Sequence, residues 1–346
     1  GYSNFLWVIL LGVFHAAGLD TPYAARILGV AFGMATLTMM AFTVKMIDAS
    51  VLRAGLVVCM AATAPAFGIY AISGMETLLF TFLLLLFLYL FIREELGSLR
   101  FPISGFVSAL CCLTRPEGFI ILSIFIFFRL LRFLKQDYGK VFLDRRFLIL
   151  WVLEIAIIFV PFLIWRYSYY GHLLPMPVYA KATGEHVYRG IRQILGGVRY
   201  FYGYAKTYGG GFVIVLLMIF ALKHLFKWWQ SLNSTIRSES DSRDIGVTVL
   251  SLSFLWYIFY CINVGGDWMP QFRFYVPLLP ITYILIAVPH FLEDVLPRGR
   301  YYILVALTLI GFNLFQIPLI LSDGLENVEP YIQYKGISSN KELIQK

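Results

Sequence analysis

Residues 151–165 read WVLEIAIIFVPFLIW, and Glu154 is the single charged side chain among them. A second run, YYILVALTLIGFNLFQIPLILS at residues 301–322, carries no charged side chain. One helix needs about 20 predominantly apolar residues to cross a bilayer, so the two runs approach or reach the length of a span. The whole chain is 60% hydrophobic and 14% charged, whereas soluble domains are about 25% charged. The composition therefore predicts an integral membrane protein.

Apolar runs of this kind recur along the chain. We predict about ten transmembrane or membrane-embedded segments, near residues 5–18, 22–44, 54–72, 77–92, 101–114, 118–134, 147–166, 211–226, 246–262 and 274–292, with an eleventh at 301–321. The first, fifth and sixth are short for a span and are expected to be tilted, re-entrant or half-buried. Strand alternation is absent, and hydrocarbon admits only helices or closed barrels. The predicted fold is an all-α polytopic bundle over residues 1–321, followed by an extracytoplasmic tail at 322–346.

The basic connection at residues 129–146, RLLRFLKQDYGKVFLDRR, sets the predicted orientation. Lys and Arg are retained on the cytoplasmic side of a membrane, so we place this connection inside. Counting along the chain from it puts four stretches on the extracytoplasmic side: residues 73–77, 114–118, 167–210 and 263–273. The orientation of the first two segments stays open.

Thiol labelling tests this orientation. A cysteine introduced at Ser168 or Thr183 is expected to react with a membrane-impermeant thiol reagent in intact cells, and one at Ser238 is expected to react only after the cells are opened. The reverse pattern would place the same loops on the cytoplasmic side.

Three acids lie near the ends of predicted membrane helices on the extracytoplasmic side: Glu76 in SGMETLL, Glu117 in LTRPEGF and Asp267 in GGDWMPQFRF. A carboxylate near the hydrocarbon boundary is costly unless it is paired or hydrated, so each is a candidate site residue. Glu76 has a structural alternative as an acid in the first turn of a helix, stabilised by the helix dipole. Glu117 has one as an ion-pair partner of Arg115.

Asp267 stands in a turn with unusual backbone requirements. Gly265 and Gly266 permit tight or left-handed conformations, and Pro270 ends a continuing helix. This favours a functional role for Asp267, against the alternative that it caps a helix or pairs with Arg273.

The predicted loop 167–210 is basic and rich in tyrosine, and Glu185 is its single acid. Its cations would attract an anionic head group; they are Lys181, Arg189, Arg192, Arg199 and Lys206. The tyrosines fit either an aromatic belt at the membrane interface or a sugar-binding surface.

Other ionisable and cysteine residues give weaker signals. Glu154, deep in its segment, is interpreted as protonated or as bonded to a neighbouring helix, and His15 as a packed core histidine. No zinc, P-loop or disulfide pattern is present. We expect no nucleotide or redox cofactor and no nucleic-acid partner, while a divalent metal stays open.

Five motifs, in order along the chain, together resemble a known family. They are GYSNFLW, GMETLLFTFLLLL, LTRPEG, WRYSYYGHLLPMPVYAK and GGDWMPQFRFYVPLLP. The chain resembles the bacterial GT-C glycosyltransferases related to the mycobacterial terminal arabinofuranosyltransferase, some of whose relatives are labelled flagellar motor control proteins. The resemblance covers residues 1 to about 321, and its most specific elements are GMET, YYGHLLPMPVYAK and GGDWM.

The resemblance implies a multi-pass enzyme of the bacterial cytoplasmic membrane. It would transfer a sugar, arabinofuranose or another pentose or hexose, from a polyprenyl-phosphate donor to an extracytoplasmic glycan or other acceptor, among membrane lipids. Such transfer needs a carboxylate for the acceptor hydroxyl and donors for the leaving phosphate. The implied catalytic residue is Asp267, and the implied substrate-binding residues are Tyr2, Asn4, Trp7, Glu76, Arg115, Glu117, Tyr179, Lys181, Trp268 and Arg273.

The family places its principal aspartates in a loop just before the GYSN element, which here begins at Gly1. We therefore expect the first helix, that loop and the main catalytic aspartates to lie outside residues 1–346. Two alternatives stay open: a transporter or flippase of a lipid-linked glycan, and a non-catalytic membrane protein that influences flagellar function. A transporter would usually need polar or broken helices at mid-membrane.

Overall fold

The computed structural model describes residues 4–134, 145–172, 187–208, 211–233, 242–267, 269–287 and 301–322, in which every regular element is helical. The helices are α1 (Phe5–Ala16), α2 (Thr21–Asp48), α3 (Val51–Thr63), α4 (Pro65–Ile72), α5 (Thr77–Glu95), α6 (Ser104–Thr114), α7 (Glu117–Leu134), α8 (Arg145–Tyr170), α9 (Val187–Tyr208), α10 (Phe212–Asn233), α11 (Ser242–Val264), α12 (Leu278–Ala287) and α13 (Tyr301–Ser322), with a 3₁₀ helix at Pro270–Tyr275. The predicted all-α class is confirmed for this part of the chain.

Five helices are long and apolar enough to cross a membrane: α2, α5, α8, and the stretches Val213–Gln230 and Asp244–Val264 of α10 and α11. The bent pair α3 and α4 makes a sixth if it is counted as one span. The multi-pass membrane character is thus confirmed. Several other predicted segments form shorter apolar helices, among them α1, α6 and α12.

Helix α5 separates two ends of the bundle. Its 19 residues extend about 28 Å, close to the thickness of a hydrocarbon core. We call the end that holds Gly74–Glu76 the Glu76 end, and the end that holds Glu94 and Glu95 the Glu94 end. Helix α6 begins beside Glu94, where Ser104 is bonded to that carboxylate, and is followed by Arg115, which lies 4.0 Å from Glu76.

Helix α1 does not cross from one end to the other. Asn4, just before α1, donates a hydrogen bond to Glu76 over 3.4 Å. Ala25, near the start of α2, packs against Gly74. Both helices therefore start at the Glu76 end, which confirms that the first segment is not a simple span. The interpretation of His15 as a core residue is wrong, because its side chain is exposed near the end of this short helix.

A buried charge network holds the Glu94 end together, and the sequence reasoning missed it. Arg129 in α7 donates from Nη2 to Glu94 over 2.5 Å and from Nε to Glu95 over 3.1 Å. Arg132 also bonds Glu95. The guanidinium of Arg129 lies between the rings of Phe91 and Trp151, at 4.4 and 4.6 Å from their centroids. This network joins α5, α7 and α8.

Glu94 also caps helix α6. Its Oε1 accepts the backbone N–H groups of Ile103 and Ser104, over 2.6 and 2.7 Å. Two of the N–H groups that a helix start leaves unpaired are thereby satisfied. Nearby, Glu154 accepts the N–H of Phe106 over 3.2 Å, so the interpretation of Glu154 as bonded to a neighbouring helix is confirmed.

Helices α3 and α4 meet at a 64° bend. Pro65 has no N–H to continue the helix, and side chains from other elements satisfy the groups that the break frees. Asn313 of α13 donates to the carbonyl of Met60 over 3.2 Å, and the N–H of Ala66 donates to Tyr208 Oη over 3.2 Å. Such replacement partners are what a lipid environment demands of an interrupted helix.

Helix α9 lies where the sequence reasoning placed a loop, so that assignment is wrong for residues 187–208. The helix packs closely against α11: a Cβ on Gly197 would stand 2.0 Å from the carbonyl oxygen of Ile262. Tyr204 and Tyr208, which share its inner face, are each 1% exposed. These tyrosines pack in the core, in neither an aromatic belt nor an open sugar-binding surface.

Candidate functional site

The turn that carries Asp267 has the backbone its sequence predicts. Gly265 and Gly266 adopt φ values of 90° and 83°, in the left-handed region. A Cβ on Gly266 would stand 2.6 Å from the ring of Tyr200 in α9, so glycine is also required for space. The chain thus folds back tightly beneath α9.

The following 3₁₀ helix holds two non-glycine residues at positive φ, Gln271 at 56° and Phe272 at 53°. Each such residue costs roughly 1–3 kcal/mol and persists only where its surroundings fix it. Tyr70 of α4 donates to the carbonyl of Pro270 over 2.6 Å, and Tyr208 of α9 donates to the side chain of Gln271. Hydrogen bonds from two neighbouring helices therefore hold the turn in one conformation.

Asp267 and Arg273 form a partly buried ion pair across this turn. Arg273 Nε donates to Asp267 Oδ2 over 2.6 Å, and the two side chains are 14% and 5% exposed. The pairing that the sequence analysis held as the structural alternative is therefore present. A pair of this kind can still orient a substrate, since the guanidinium carries five N–H groups.

Arg115 organises a second group of charges at the Glu76 end. Its Nη2 and Nε donate to the two oxygens of Glu117 over 2.8 and 3.3 Å, and Nε lies 4.0 Å from Glu76. The pairing predicted for Arg115 and Glu117 is present too. Nη1 of Arg115 is buried and has no hydrogen-bond partner among the described residues.

Glu76 is the most loosely held of the three acids. It occupies the N-cap position of α5, but its side chain makes no capping hydrogen bond. Its oxygens lie 3.4 Å from the Asn4 amide and 4.0 Å from Arg115. The structural alternative placed Glu76 in the first turn of a helix, whereas Glu76 lies one residue earlier, at the N-cap, and no acid occupies the first turn of α5.

Phe274 joins the two charged groups into one site. The guanidinium carbons of Arg115 and Arg273 each lie 5.4 Å from the centroid of its ring. Its backbone N–H donates to Tyr200 Oη over 3.3 Å, which ties the site to α9. We call this site the Phe274 cluster; its members are Phe274, Glu76, Arg115, Glu117, Asp267 and Arg273.

The cluster carries three carboxylates and two guanidinium groups, a formal charge of −1 for these residues. Burial lowers the pKa of Arg115, but the adjacent Glu117 and Glu76 carboxylates raise that pKa above its usual value, so the guanidinium stays charged. Burial, with a smaller contribution from Asp267, raises the pKa of Tyr200, which stays a neutral hydroxyl. Within the cluster, the carboxylates therefore outnumber the guanidinium groups by one, and Glu76, 4.0 Å from an Arg115 that Glu117 already binds, is the one held least closely by a cation.

The remaining predicted residues divide into two sets. Trp7 donates from Nε1 to the carbonyl of Gly74 over 3.2 Å and is 3% exposed, so it buttresses the turn before Glu76. With Asn4 it lies at the same end as the cluster. The other predicted residues lie outside the described ranges; they are Tyr2, Tyr179, Lys181 and Trp268.

The sequence reasoning missed Tyr257 as well as Phe274. The hydroxyl of Tyr257 is buried without a hydrogen-bond partner in the described structure and lies within electrostatic reach of Glu117 and Arg115. Tyr257 stands in the apolar run of α11, where the sequence gives no sign that the residue faces charges.

A metal centre is not evident in the described ranges, where no group of three or more His, Cys, Asp or Glu side chains is placed to hold an ion. Comparison with protein-family models, curated proteins and solved structures finds no match. The chain is an all-helical, multi-pass membrane protein. The resemblance to GT-C glycosyltransferases accordingly rests on its sequence motifs, and a specific activity is a matter for proposal.

Proposed function

We propose that the chain is an integral membrane glycosyltransferase that takes a sugar from a polyprenyl-phosphate donor and transfers it to an extracytoplasmic glycan or other acceptor, with the Phe274 cluster in its substrate site. One observation carries the proposal. Glu76, Arg115 with Glu117, and Asp267 with Arg273 belong to three motifs far apart in sequence, and they meet at one end of the bundle around one aromatic ring.

The cluster suits the two demands of glycosyl transfer. An acceptor hydroxyl needs a carboxylate to take its proton, and Glu76 is a carboxylate with loose protein contacts. The leaving phosphate needs N–H donors, which Arg273 and the unpartnered Nη1 of Arg115 can supply. The Phe274 and Tyr257 rings offer apolar faces beside these polar groups.

A donor-binding and transfer assay tests the proposal. Protein in native membranes is expected to transfer labelled sugar from a polyprenyl-phosphate sugar and not from a nucleotide sugar. Glu76→Gln is expected to lower transfer about 10²-fold or more, the usual contribution of a general base, with donor binding unchanged. Arg53→Gln, remote at the Glu94 end, is the matched control and should transfer like the parent.

Failure of transfer together with failure of saturable binding of polyprenyl-phosphate sugar would remove the proposal. The helix break between α3 and α4 favours one rival function, transport of a lipid-linked glycan, since transporters build substrate sites at interrupted helices. Reconstituted liposomes separate the two: a flippase moves labelled lipid-linked sugar between leaflets without forming any glycoside product.

A further inference from the structure

Helix α9 lies across the Glu76 end and does not span the bundle. Near its start, Gln193 donates to the carbonyls of Asn263 and Val264 over 3.0 Å each, at the end of α11. At its last residue, Tyr208 meets the N–H of Ala66 in α4 over 3.2 Å. The first contact lies at the Glu76 end itself, and the second lies at the start of α4, the short helix that leads to the turn at Gly74, so α9 packs over that end of the bundle.

Three different faces run along α9. The face toward the bundle is buried at Gly197, Tyr204, Ala205 and Tyr208 and half-buried at Tyr200. The next face is apolar but exposed, with side chains between 43% and 68% exposed at Ile191, Ile194, Leu195, Val198 and Tyr202. Beside it runs a row of exposed cations, Arg192, Arg199 and Lys206.

The spacing of these residues makes both exposed faces continuous. The three cations are seven residues apart, about two helical turns, and so form a line on one side of the helix. The apolar residues recur at intervals of three and four, which aligns them in a neighbouring stripe. No acid occurs between Val187 and Tyr208, so the cationic row has no counter-charge on its own helix.

We propose that α9 docks in the membrane interface at the Glu76 end and binds anionic phospholipid headgroups of that leaflet through Arg192, Arg199 and Lys206. An amphipathic helix with a large apolar stripe and a basic flank lies in the plane of the interface, with its apolar residues among the upper acyl chains. That depth puts the basic row at the level of the lipid phosphates. The proposal is independent of the glycosyltransferase reaction.

Quenching of a fluorophore by labelled lipids tests this docking. Bimane is attached to a cysteine introduced by Leu195→Cys, in a variant whose exposed Cys59 is replaced with serine. The protein is reconstituted in nanodiscs whose lipids carry nitroxide-labelled acyl chains. Phosphatidylglycerol is expected to quench at least about fivefold more efficiently than phosphatidylcholine at equal mole fraction, because each basic residue at an anionic surface contributes about that factor.

Replacing Arg192, Arg199 and Lys206 together with Gln is expected to abolish the preference and leave quenching by phosphatidylcholine intact. The matched control removes three exposed cations at the Glu94 end, through Arg145→Gln, Arg146→Gln and Lys227→Gln, and should keep the preference. Equal quenching by both lipids in the parent would overturn headgroup binding. Absence of quenching by either would overturn the docking itself and show that water or another protein covers this face.

Discussion

Replacing Arg129 with methionine is expected to lower the unfolding temperature of the detergent-solubilised protein by on the order of 10 °C. The guanidinium is 1% exposed and pairs with two carboxylates that are also buried, Glu94 and Glu95. Its removal would leave those two carboxylates facing Arg132 alone within the network. Breaking a buried ion pair from one side costs roughly 3–5 kcal/mol. Scanning fluorimetry of the purified variants measures the shift.

Two further variants decide whether the network is the cause. Adding Glu94→Gln to Arg129→Met restores charge balance with Glu95 and Arg132, and the amide oxygen still caps α6. The double variant should therefore recover part of the lost stability. Arg146→Met makes the same substitution at an exposed site of the Glu94 end and should melt with the parent. If Arg129→Met also melts with the parent, the network does not hold that end of the bundle.

Asp267→Asn is expected to lower sugar transfer in native membranes about 10²-fold or more, the scale of a group that assists proton transfer or orients the acceptor. Asparagine keeps the size of the side chain and an oxygen that can accept the Nε–H of Arg273. The protein is therefore expected to accumulate normally, with an unfolding temperature near that of the parent. Initial rates with labelled polyprenyl-phosphate sugar provide the measurement.

Arg273→Lys is the matched variant for the same pair. Lysine keeps the charge beside Asp267 and loses the planar fork that grips a phosphate or carboxylate. Reduced donor affinity in this variant, with a fold stability close to the parent, supports a substrate role for Arg273. Full activity of Asp267→Asn would show that the ion pair only stabilises the turn. Asp267 would then have no catalytic role.

The sequence predicted the left-handed glycines of the site turn and the ion-pair partners of two of the cluster's acids. It did not predict how tightly each of the three acids is held. The left-handed glycines at 265 and 266 follow from local sequence, since few other residues tolerate that backbone. Pairing of Glu117 with Arg115 was also foreseeable, because the two are neighbours in the chain. By contrast, Glu76 and Asn4 stand 72 residues apart, and no local pattern connects them.

Residues 187–208, which form α9, show that prediction of the fold from sequence has the same limit. Their position between two predicted membrane segments and their basic charge indicated a loop, although glycines and tyrosines at intervals of three and four line the inner face of α9. The inner face of α9 can be recognised as a packing surface only when the position of the turn after Val264, against which it packs, is known. The Glu94 network was missed for a similar reason, as charged residues near the ends of membrane segments are ordinarily solvated anchors.

By itself, the sequence determined the membrane class and the all-helical architecture, because hydropathy and the cost of unpaired backbone groups in lipid are properties of each segment alone. It also determined which turns carry acids. Only the tertiary structure decided that Asn4 meets Glu76, that Glu94 and Arg129 are buried partners, and that Arg115 and Arg273 share the ring of Phe274. Charge pairing depends on distances of a few ångströms between helices, and the packing of the whole bundle sets those distances.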